Sequence, residues 1–178
     1  RRKMIGGVSA FAASAVSSSA LGNGTGQTRG VWTAMTDMPF PVQEIYPAVF
    51  SGSAENSDKI RPSYKKFIVN GGGLTPAGRH NVTNAVTYYD VSLNIWARGT
   101  DLPEARHHIS MVNHNGYLYG VTGFARDNAG GWQIRRNCWR NDSLNGKWRA
   151  MSPLPQHQAE TVCVSLSRSI HVVGGRSP

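Results

Sequence analysis

The feature that most constrains the fold of this chain is an internal repeat. Trp96 and Trp148 lie 52 residues apart, and the strand-like segments that end at Gly123 and Gly175 keep the same interval. The Leu-Pro pairs at 102–103 and 154–155 are again 52 residues apart. A fixed period of this size is typical of structural units that are stacked or arranged around an axis. We therefore expect the chain to consist of copies of one unit.

An earlier copy of the unit begins at Trp32 but is longer. Trp32 lies 64 residues before Trp96, whereas the segment ending at Gly71 lies 52 residues before the one ending at Gly123. About a dozen extra residues thus fall inside the first unit, and the polar segment 51–59 predicts an enlarged hairpin loop there. We expect Trp32 itself to begin an isolated outer strand.

Each unit contains short strand-like segments separated by turns. In the second unit, residues 109–112 and 117–122 flank an Asn-Gly turn signal, which predicts a β-hairpin with His114 in its turn. A third strand is expected around Cys138 and a fourth from Trp148. The 20 glycines and the low charged fraction of 16% suit an all-β chain rich in turns.

The residues of the repeat resemble those of the kelch family, over the range from Trp32 to Gly175. The resemblance rests on Val69-Asn70-Gly71-Gly72-Gly73, Tyr88-Tyr89-Asp90, Trp96, and Leu102-Pro103 followed by Arg106. The double glycine, taken as Gly71-Gly72 and Gly174-Gly175, becomes Thr122-Gly123 in the second unit. The resemblance implies an all-β, kelch-type β-propeller that is incomplete, with about two and a half four-stranded blades, because propellers close with roughly four to eight.

The first residues resemble an export signal of the twin-arginine type. Arg1, Arg2 and Lys3 precede an uncharged, mildly apolar run that ends near residue 21. This gives an export signal at 1–21, a flexible linker at 22–30 and the partial propeller at 31–178. The run is too rich in Gly, Ala and Ser for a membrane span. We expect a periplasmic or secreted protein with no membrane span after signal removal.

The charge does not indicate a nucleic-acid partner. The formal net charge is +9, but three of the positive charges stand in the first three residues. The other basic residues are scattered, whereas nucleic-acid binders usually gather them on one face of a recognisable module.

The kelch resemblance implies a ligand site at the mouth of the central channel. In kelch proteins the residues that follow the Leu-Pro turn and enter the innermost strand often contribute to such a site. Here the offsets make Glu44, His108 and Glu160 equivalent. The candidate ligand-binding residues are Glu44, Arg106, His107, His108, Gln158 and Glu160. The alternative is that they are ordinary solvated strand starts.

No metal and no cofactor are expected. The spacing of His107, His108 and His114 suits no common zinc pattern, and no Cys accompanies them. No residue set matches the copper ligands of galactose oxidases, which are also built on a kelch propeller. Cys138 and Cys163 are expected to pack as small apolar residues, and their pairing in an oxidising compartment is the alternative.

Three functions remain open at this point. The leading interpretation is an exported binding module that recognises a small carbohydrate or a protein partner at the channel mouth. The second is a periplasmic sugar-modifying enzyme such as a sialic-acid (N-acetylneuraminate) epimerase, with Glu44, His108 and Glu160 as acids or bases. The third is a non-functional fragment of a longer propeller. Whether the chain is an enzyme stays undecided.

Overall fold

The computed structural model describes residues 30–51, 66–76 and 81–178, and within these ranges the regular structure is entirely β. This confirms the predicted all-β class. The expected export signal, all but the last residue of the linker and the polar segment 52–59 lie outside the described residues. In the described ranges no helix is long and apolar enough to cross a membrane.

The first blade is a four-stranded antiparallel sheet with a short two-stranded ribbon. Its strands are β1 (Ala48–Ser51), β2 (Lys66–Gly71), β3 (Leu74–Thr75), β4 (Asn81–Val82), β5 (Val86–Asp90) and β6 (Ile95–Arg98). The sheet has the order β1-β2-β5-β6, and β3 pairs with β4 to form the ribbon between the second and third strands of the blade. Consecutive antiparallel pairing is what short connections allow.

The second blade repeats this plan. Its strands are β7 (Ser110–His114), β8 (Tyr117–Val121), β9 (Phe124–Arg126), β10 (Trp132–Ile134), β11 (Cys138–Asn141) and β12 (Arg149–Met151). The sheet has the order β12-β11-β8-β7, and β9 and β10 form the ribbon. The predicted hairpin is confirmed, with Asn115 and Gly116 at φ 52° and 79°. The placement of His114 in the turn is wrong, because it pairs with Tyr117 as the last residue of β7.

The third unit contributes one hairpin, made of β13 (Val162–Leu166) and β14 (Ser169–Val173). Two four-stranded blades and one hairpin form an incomplete propeller, as predicted. The innermost strands β1, β7 and β13 lie side by side. Tyr46, just before β1, forms a parallel bridge with Ser110, whose hydroxyl donates to the carbonyl of Thr161, just before β13.

The apolar core lies between the blades rather than inside one of them. Phe50 and Val69 of the first blade pack against Ile109, Leu118 and other buried residues of the second. A smaller cluster around Val112, Val121 and Cys138 packs against partly buried residues of the third unit, Cys163, Ile170 and Val172. Each sheet thus buries its faces on its neighbours, which is how repeat architectures build a continuous core.

The repeat differs in register from the sequence prediction in the first unit. Positive-φ residues end the second strands in pairs, at Gly72-Gly73, Thr122-Gly123 and Gly174-Gly175. The double glycine of the first unit is therefore Gly72-Gly73 and not Gly71-Gly72. The error of one residue arose because three glycines stand together, so the sequence pattern alone could not set the register.

The bridges between innermost strands and ribbons measure the insertion in the first unit. Gln43 bridges Leu74, and His107 bridges Phe124. The two units are thus offset by 64 residues before the hairpin and by 50 after it, a difference of fourteen rather than a dozen. The extra residues lie between Ser51 and Lys66, and most of the predicted loop falls there.

The expected outer strand at Trp32 is not present. Residues 30–35, the described part of the first of two units into which the chain divides, contain no strand. The side chain of Trp32 is 99% exposed. The repeat signal at this position is therefore not matched by a strand in the structure.

Candidate functional site

A residue shortly before each innermost strand adopts an unusual backbone conformation. Glu44, His108 and Glu160 have φ values of 58°, 52° and 58°. In each unit the preceding residue bridges to the ribbon or segment that follows the second strand. The three positions are thus structurally equivalent, as the offsets predict. Non-glycine residues in the left-handed region are uncommon, and such strain is concentrated at functional sites.

Three of the predicted site residues form one cluster across the first two blades. The carboxylate Oε2 of Glu44 lies 2.7 Å from His107 Nδ1 and 3.4 Å from His108 Nδ1. The two histidine Nδ1 atoms are 2.7 Å apart. A backbone hydrogen bond of 3.0 Å from His108 N to Glu44 O joins the two left-handed residues directly. We call Glu44, His107 and His108 the Glu-His-His cluster.

His107 is the buried member of the Glu-His-His cluster, with 6% of its surface exposed. Its ring stacks on Phe124 at 5.0 Å and meets the edge of Trp132 at 4.3 Å. Burial lowers the pKa of His107, the nearby carboxylate of Glu44 opposes this effect in part, and His108 adds to it. The imidazole is therefore held neutral, with a lone pair on one ring nitrogen.

Glu160 stands beside the Glu-His-His cluster but is not part of it. Its carboxylate pairs with Arg176 at 3.3 Å, and the guanidinium of Arg176 also lies 5.0 Å from the ring of Phe124. Tyr46 interacts with both carboxylates: its pKa is raised by burial and by the charges of Glu160 and Glu44. Its ring is 5.4 Å from that of His108. Polar groups from all three units thus meet at one end of the blades.

Arg106 lies away from this surface. Its side chain is fully buried, donates to the carbonyls of Thr122 and Asn137 at 2.8 and 3.2 Å, and pairs with Glu104 at 2.7 Å. The guanidinium also lies 4.0 Å over the ring of Trp139. These contacts tie the guanidinium of Arg106 to the interior of the second blade.

Gln158 also makes a local contact. Its side-chain amide donates to the carbonyl of Gly174, the first glycine of the pair that ends β14. The carboxylate of Glu104 receives hydrogen bonds from both Arg106 and Arg135. Partial burial opposes its ionisation, but these two arginines outweigh that effect and lower its pKa.

The structure adds residues that the sequence reasoning did not single out. The ribbons that follow the paired left-handed residues project at the same end as the Glu-His-His cluster. Arg126 lies 3.7 Å over the ring of Trp132, which is 43% exposed. Their position directly after Thr122-Gly123 could have indicated these residues. At that point the chain leaves the blade close to where the innermost strand begins.

A cleft of about 450 Å³ opens between the two ribbons. It is lined by Asn81 and Val82 of the first blade, Ala125 and Arg126 of the second, and Glu104 and Ala105 of the connection. The walls of the cleft carry opposite charges, the carboxylate of Glu104 and the guanidinium of Arg126. The arrangement offers ion pairing, hydrogen bonding and aromatic stacking, together with a carboxylate–imidazole contact able to move a proton.

Comparison with known proteins agrees with the architecture. No protein-family model matches the chain. Over 92 residues the chain is 33% identical to Kelch-like protein 40 of Xenopus tropicalis, which covers 49% of this chain and 14% of that protein. It is 26% identical over 99 residues to Kelch-like protein 35 of Mus musculus, and this match covers 56% of this chain and 16% of that protein. Kelch-like protein 38 of Homo sapiens is 21% identical over 112 residues, and the match covers 63% of this chain and 19% of that protein.

The chain thus spans less than a fifth of the length of each of these relatives. The matches, although partial and of low identity, support a kelch-repeat family for this chain. Together with the two blades and the extra hairpin, they identify the fold as an incomplete kelch-type propeller.

Proposed function

We propose that this chain is a binding module that recognises a partner protein at the end of the blades where the innermost strands begin. The observation that carries the proposal is the gathering of equivalent residues from three units, Glu44, His108 and Glu160, in the same left-handed conformation. Backbone strain of this kind persists only where the surrounding structure holds it, and it is concentrated at binding sites.

The composition of this end suits a protein partner. Trp132 and Tyr46 are 43% and 37% exposed, and Arg126 lies against Trp132. Tyrosine, tryptophan and arginine are the residues enriched at the centres of protein interfaces, because they combine large contact area with a polar group. The cleft beside them, with Glu104 and Arg126 in its walls, would take a side chain or a short loop of the partner.

A peptide library displayed on phage tests this proposal. Peptides selected on the purified chain are expected to lose at least about tenfold in affinity on Trp132→Ala or Arg126→Glu, since central aromatic and arginine residues carry most of the binding energy. Arg168→Glu is the matched control. It makes the same charge change in the β13–β14 turn, at the opposite end of the innermost strand.

The outcomes separate the binding surfaces. Peptides that bind both cleft-side variants as well as the unmodified chain, or that are lost on Arg168→Glu alone, would contradict the proposal. A glycan array probed with the same three variants addresses the alternative ligand. Binding of a carbohydrate that depends on Trp132, with no peptide selected, would replace the protein partner by a sugar, for which an exposed aromatic ring is also a suitable platform.

An enzymatic role is favoured by one observation only. The Glu44 carboxylate lies 2.7 Å from His107 Nδ1, and such a pair can exchange a proton with a sugar hydroxyl. An epimerase acting on N-acetylneuraminate would speed the exchange of its anomers, which proton NMR follows directly. Exchange that is accelerated by the chain and abolished by Glu44→Gln would establish this function, and an unchanged exchange rate would dismiss it.

Export to the periplasm or the medium is also proposed, on the basis of residues 1–21 alone. Arg1 and Arg2 would be read by the twin-arginine machinery as an address. Fusion of residues 1–30 to a reporter that requires this route should give exported reporter, and replacement of both arginines by lysine should abolish export. A reporter that stays in the cytoplasm with both arginines present would exclude this route.

A further inference from the structure

Three potential metal ligands converge at the end of the blades. Glu44 Oε2 and His107 Nδ1 are 2.7 Å apart, as are the Nδ1 atoms of His107 and His108, and Glu44 Oε2 lies 3.4 Å from His108 Nδ1. The three residues are the group of His, Cys, Asp and Glu side chains in the described ranges whose ligand atoms approach each other closely enough for one ion. We propose that the Glu-His-His cluster binds one divalent transition-metal ion of the zinc class.

A single shared proton cannot satisfy both of the 2.7 Å contacts that His107 Nδ1 makes. A neutral imidazole carries one ring proton, and a carboxylate carries none. One proton can join the two Nδ1 atoms in a hydrogen bond. That proton cannot at the same time join His107 Nδ1 to the buried Glu44 Oε2, so one of the two 2.7 Å contacts stays without a hydrogen bond. Two acceptor atoms held this close without a proton between them are costly, and a metal ion would accept lone pairs from all three atoms at once.

The triangle formed by Glu44 Oε2, His107 Nδ1 and His108 Nδ1 has a size that suits three bonds to one metal ion. The three separations place each ligand atom about 1.7 Å from the centre of the triangle, so bonds of about 2.0–2.2 Å put the ion roughly 1 Å outside its plane. Ligands around tetrahedral zinc are about 3.3 Å apart, which Glu44 Oε2 and His108 Nδ1 already satisfy. His107 Nδ1 needs to retreat by about half an ångström.

The donor set selects the class of ion. Two imidazole nitrogens and one carboxylate oxygen suit zinc, copper, nickel or iron, whereas calcium and magnesium prefer oxygen ligands alone. Three protein ligands leave a fourth position open, which is the arrangement of sites that bind a further molecule on the metal. The ion would face the same end of the blades as Tyr46 and Glu160.

The fold explains why the sequence did not reveal this site. His107 and His108 are neighbours, but Glu44 comes from the preceding blade, more than sixty residues earlier. The hydrogen bond from His108 N to Glu44 O places the two strand heads side by side. His114, whose spacing from the other two histidines suited no common zinc pattern, lies at the other end of β7 and contacts Ser165 Oγ at 2.9 Å. Ligand spacing along the chain is thus uninformative here.

Titration of the untagged, chelator-treated chain with Co²⁺ and Zn²⁺ tests the proposal. We expect one ion per chain, visible absorption bands of four-coordinate Co²⁺, and displacement of Co²⁺ by Zn²⁺ but not by Mg²⁺. Glu44→Gln and His108→Asn should each weaken binding by at least about tenfold, since even the outer partners of metal sites are worth that much. Asparagine is chosen because it tolerates the left-handed conformation.

Two matched controls separate this site from surface binding. Glu160→Gln changes the equivalent carboxylate of the third unit, and His114→Gln removes a histidine outside the cluster; both should bind the ion as the unmodified chain does. No stoichiometric binding, or equal loss in the controls, would overturn the proposal. If the cluster variants do not fold, imidazole ¹⁵N shifts on Zn²⁺ addition decide it: Nδ1 shifts at His107 and His108 support the site, and shifts confined to other histidines refute it.

Discussion

Trp148 donates its indole N–H to the backbone carbonyl of Thr100 at 2.9 Å, and so joins the outer edge of the second blade to the connection that leaves the first. Trp96 makes the same bond, also 2.9 Å long, to the carbonyl of Thr36. The repeated tryptophan therefore serves two purposes. It fills space beside the sheet, and it satisfies a carbonyl of the segment running between blades.

Trp148→Phe is expected to lower the free energy of unfolding by about 1–3 kcal/mol, because the partly buried carbonyl of Thr100 loses its donor. Urea unfolding followed by circular dichroism measures this. Trp32→Phe is the control, since Trp32 is 99% exposed. Equal stability of the two variants would show that the indole hydrogen bond contributes nothing.

Arg106→Ala should destabilise the chain by about 2–3 kcal/mol, because it removes a fully buried guanidinium, takes the side-chain donor from the Thr122 carbonyl and leaves Glu104 with Arg135 alone. Arg106→Lys keeps the charge but loses the planar set of guanidinium donors. Its free energy of unfolding is therefore expected to lie between those of the unmodified chain and Arg106→Ala. Arg98→Ala provides the comparison. It breaks an exposed pair with Asp101 and should cost no more than about 1 kcal/mol. A cost for Arg106→Ala as small as this would rule out a structural role.

Gly72→Ala and Gly174→Ala form a matched pair at equivalent positions. Both glycines have φ near 70°, but a Cβ on Gly72 would overlap the carbonyl oxygen of Arg106, whereas Gly174 has open space. Gly174→Ala should cost about 1–2 kcal/mol from the left-handed backbone alone. Gly72→Ala should cost about 1–3 kcal/mol more from overpacking. Chemical unfolding of both proteins tests the difference, and equal costs would mean that the neighbouring blade leaves room at Gly72.

Both cysteine thiols should react slowly in the folded chain at pH 8. They are free, and burial raises the pKa of Cys138 and raises that of Cys163 from 9.0 to about 11. The thiolate is the reactive form, so titration with a disulfide reagent should detect two thiols rapidly only after unfolding. Two thiols reacting at once in the native protein would contradict the burial.

The raised pKa of Cys163 determines the direction in which stability changes with pH. The folded state holds the Cys163 proton more tightly than the unfolded chain, so stability is expected to fall as pH rises above about 9. Cys163→Ala should reduce this decline, and unfolding midpoints measured between pH 8 and 11 check it. An unchanged slope in the variant would assign the decline to other groups.

Local patterns predicted the blades well, and contacts between blades poorly. The Asn115-Gly116 turn and the strands around it follow from residues that are close in the chain. The register of Gly72-Gly73 did not, because three consecutive glycines are equivalent in sequence and only the neighbouring carbonyl of Arg106 distinguishes them. Trp32 carries the repeat signal but does not lie in a strand.

The candidate site shows the same division. The equivalence of Glu44, His108 and Glu160 could be counted from the offsets, because it depends on the period alone. The burial of Arg106 over Trp139 and the approach of Glu44 to His107 depend on how one blade faces another, and no spacing along the chain encodes that.

The left-handed residue at the head of each innermost strand limits how this surface can diversify. β-branched side chains are strongly disfavoured in this backbone conformation. At Glu44, His108 and Glu160 few residue types can therefore be substituted, and glycine and asparagine cause the least backbone strain. Variation in what the chain recognises must then arise mainly on the ribbons, at positions such as Arg126 and Trp132. The blades form a fixed scaffold, and the ribbons carry the positions at which binding specificity can change.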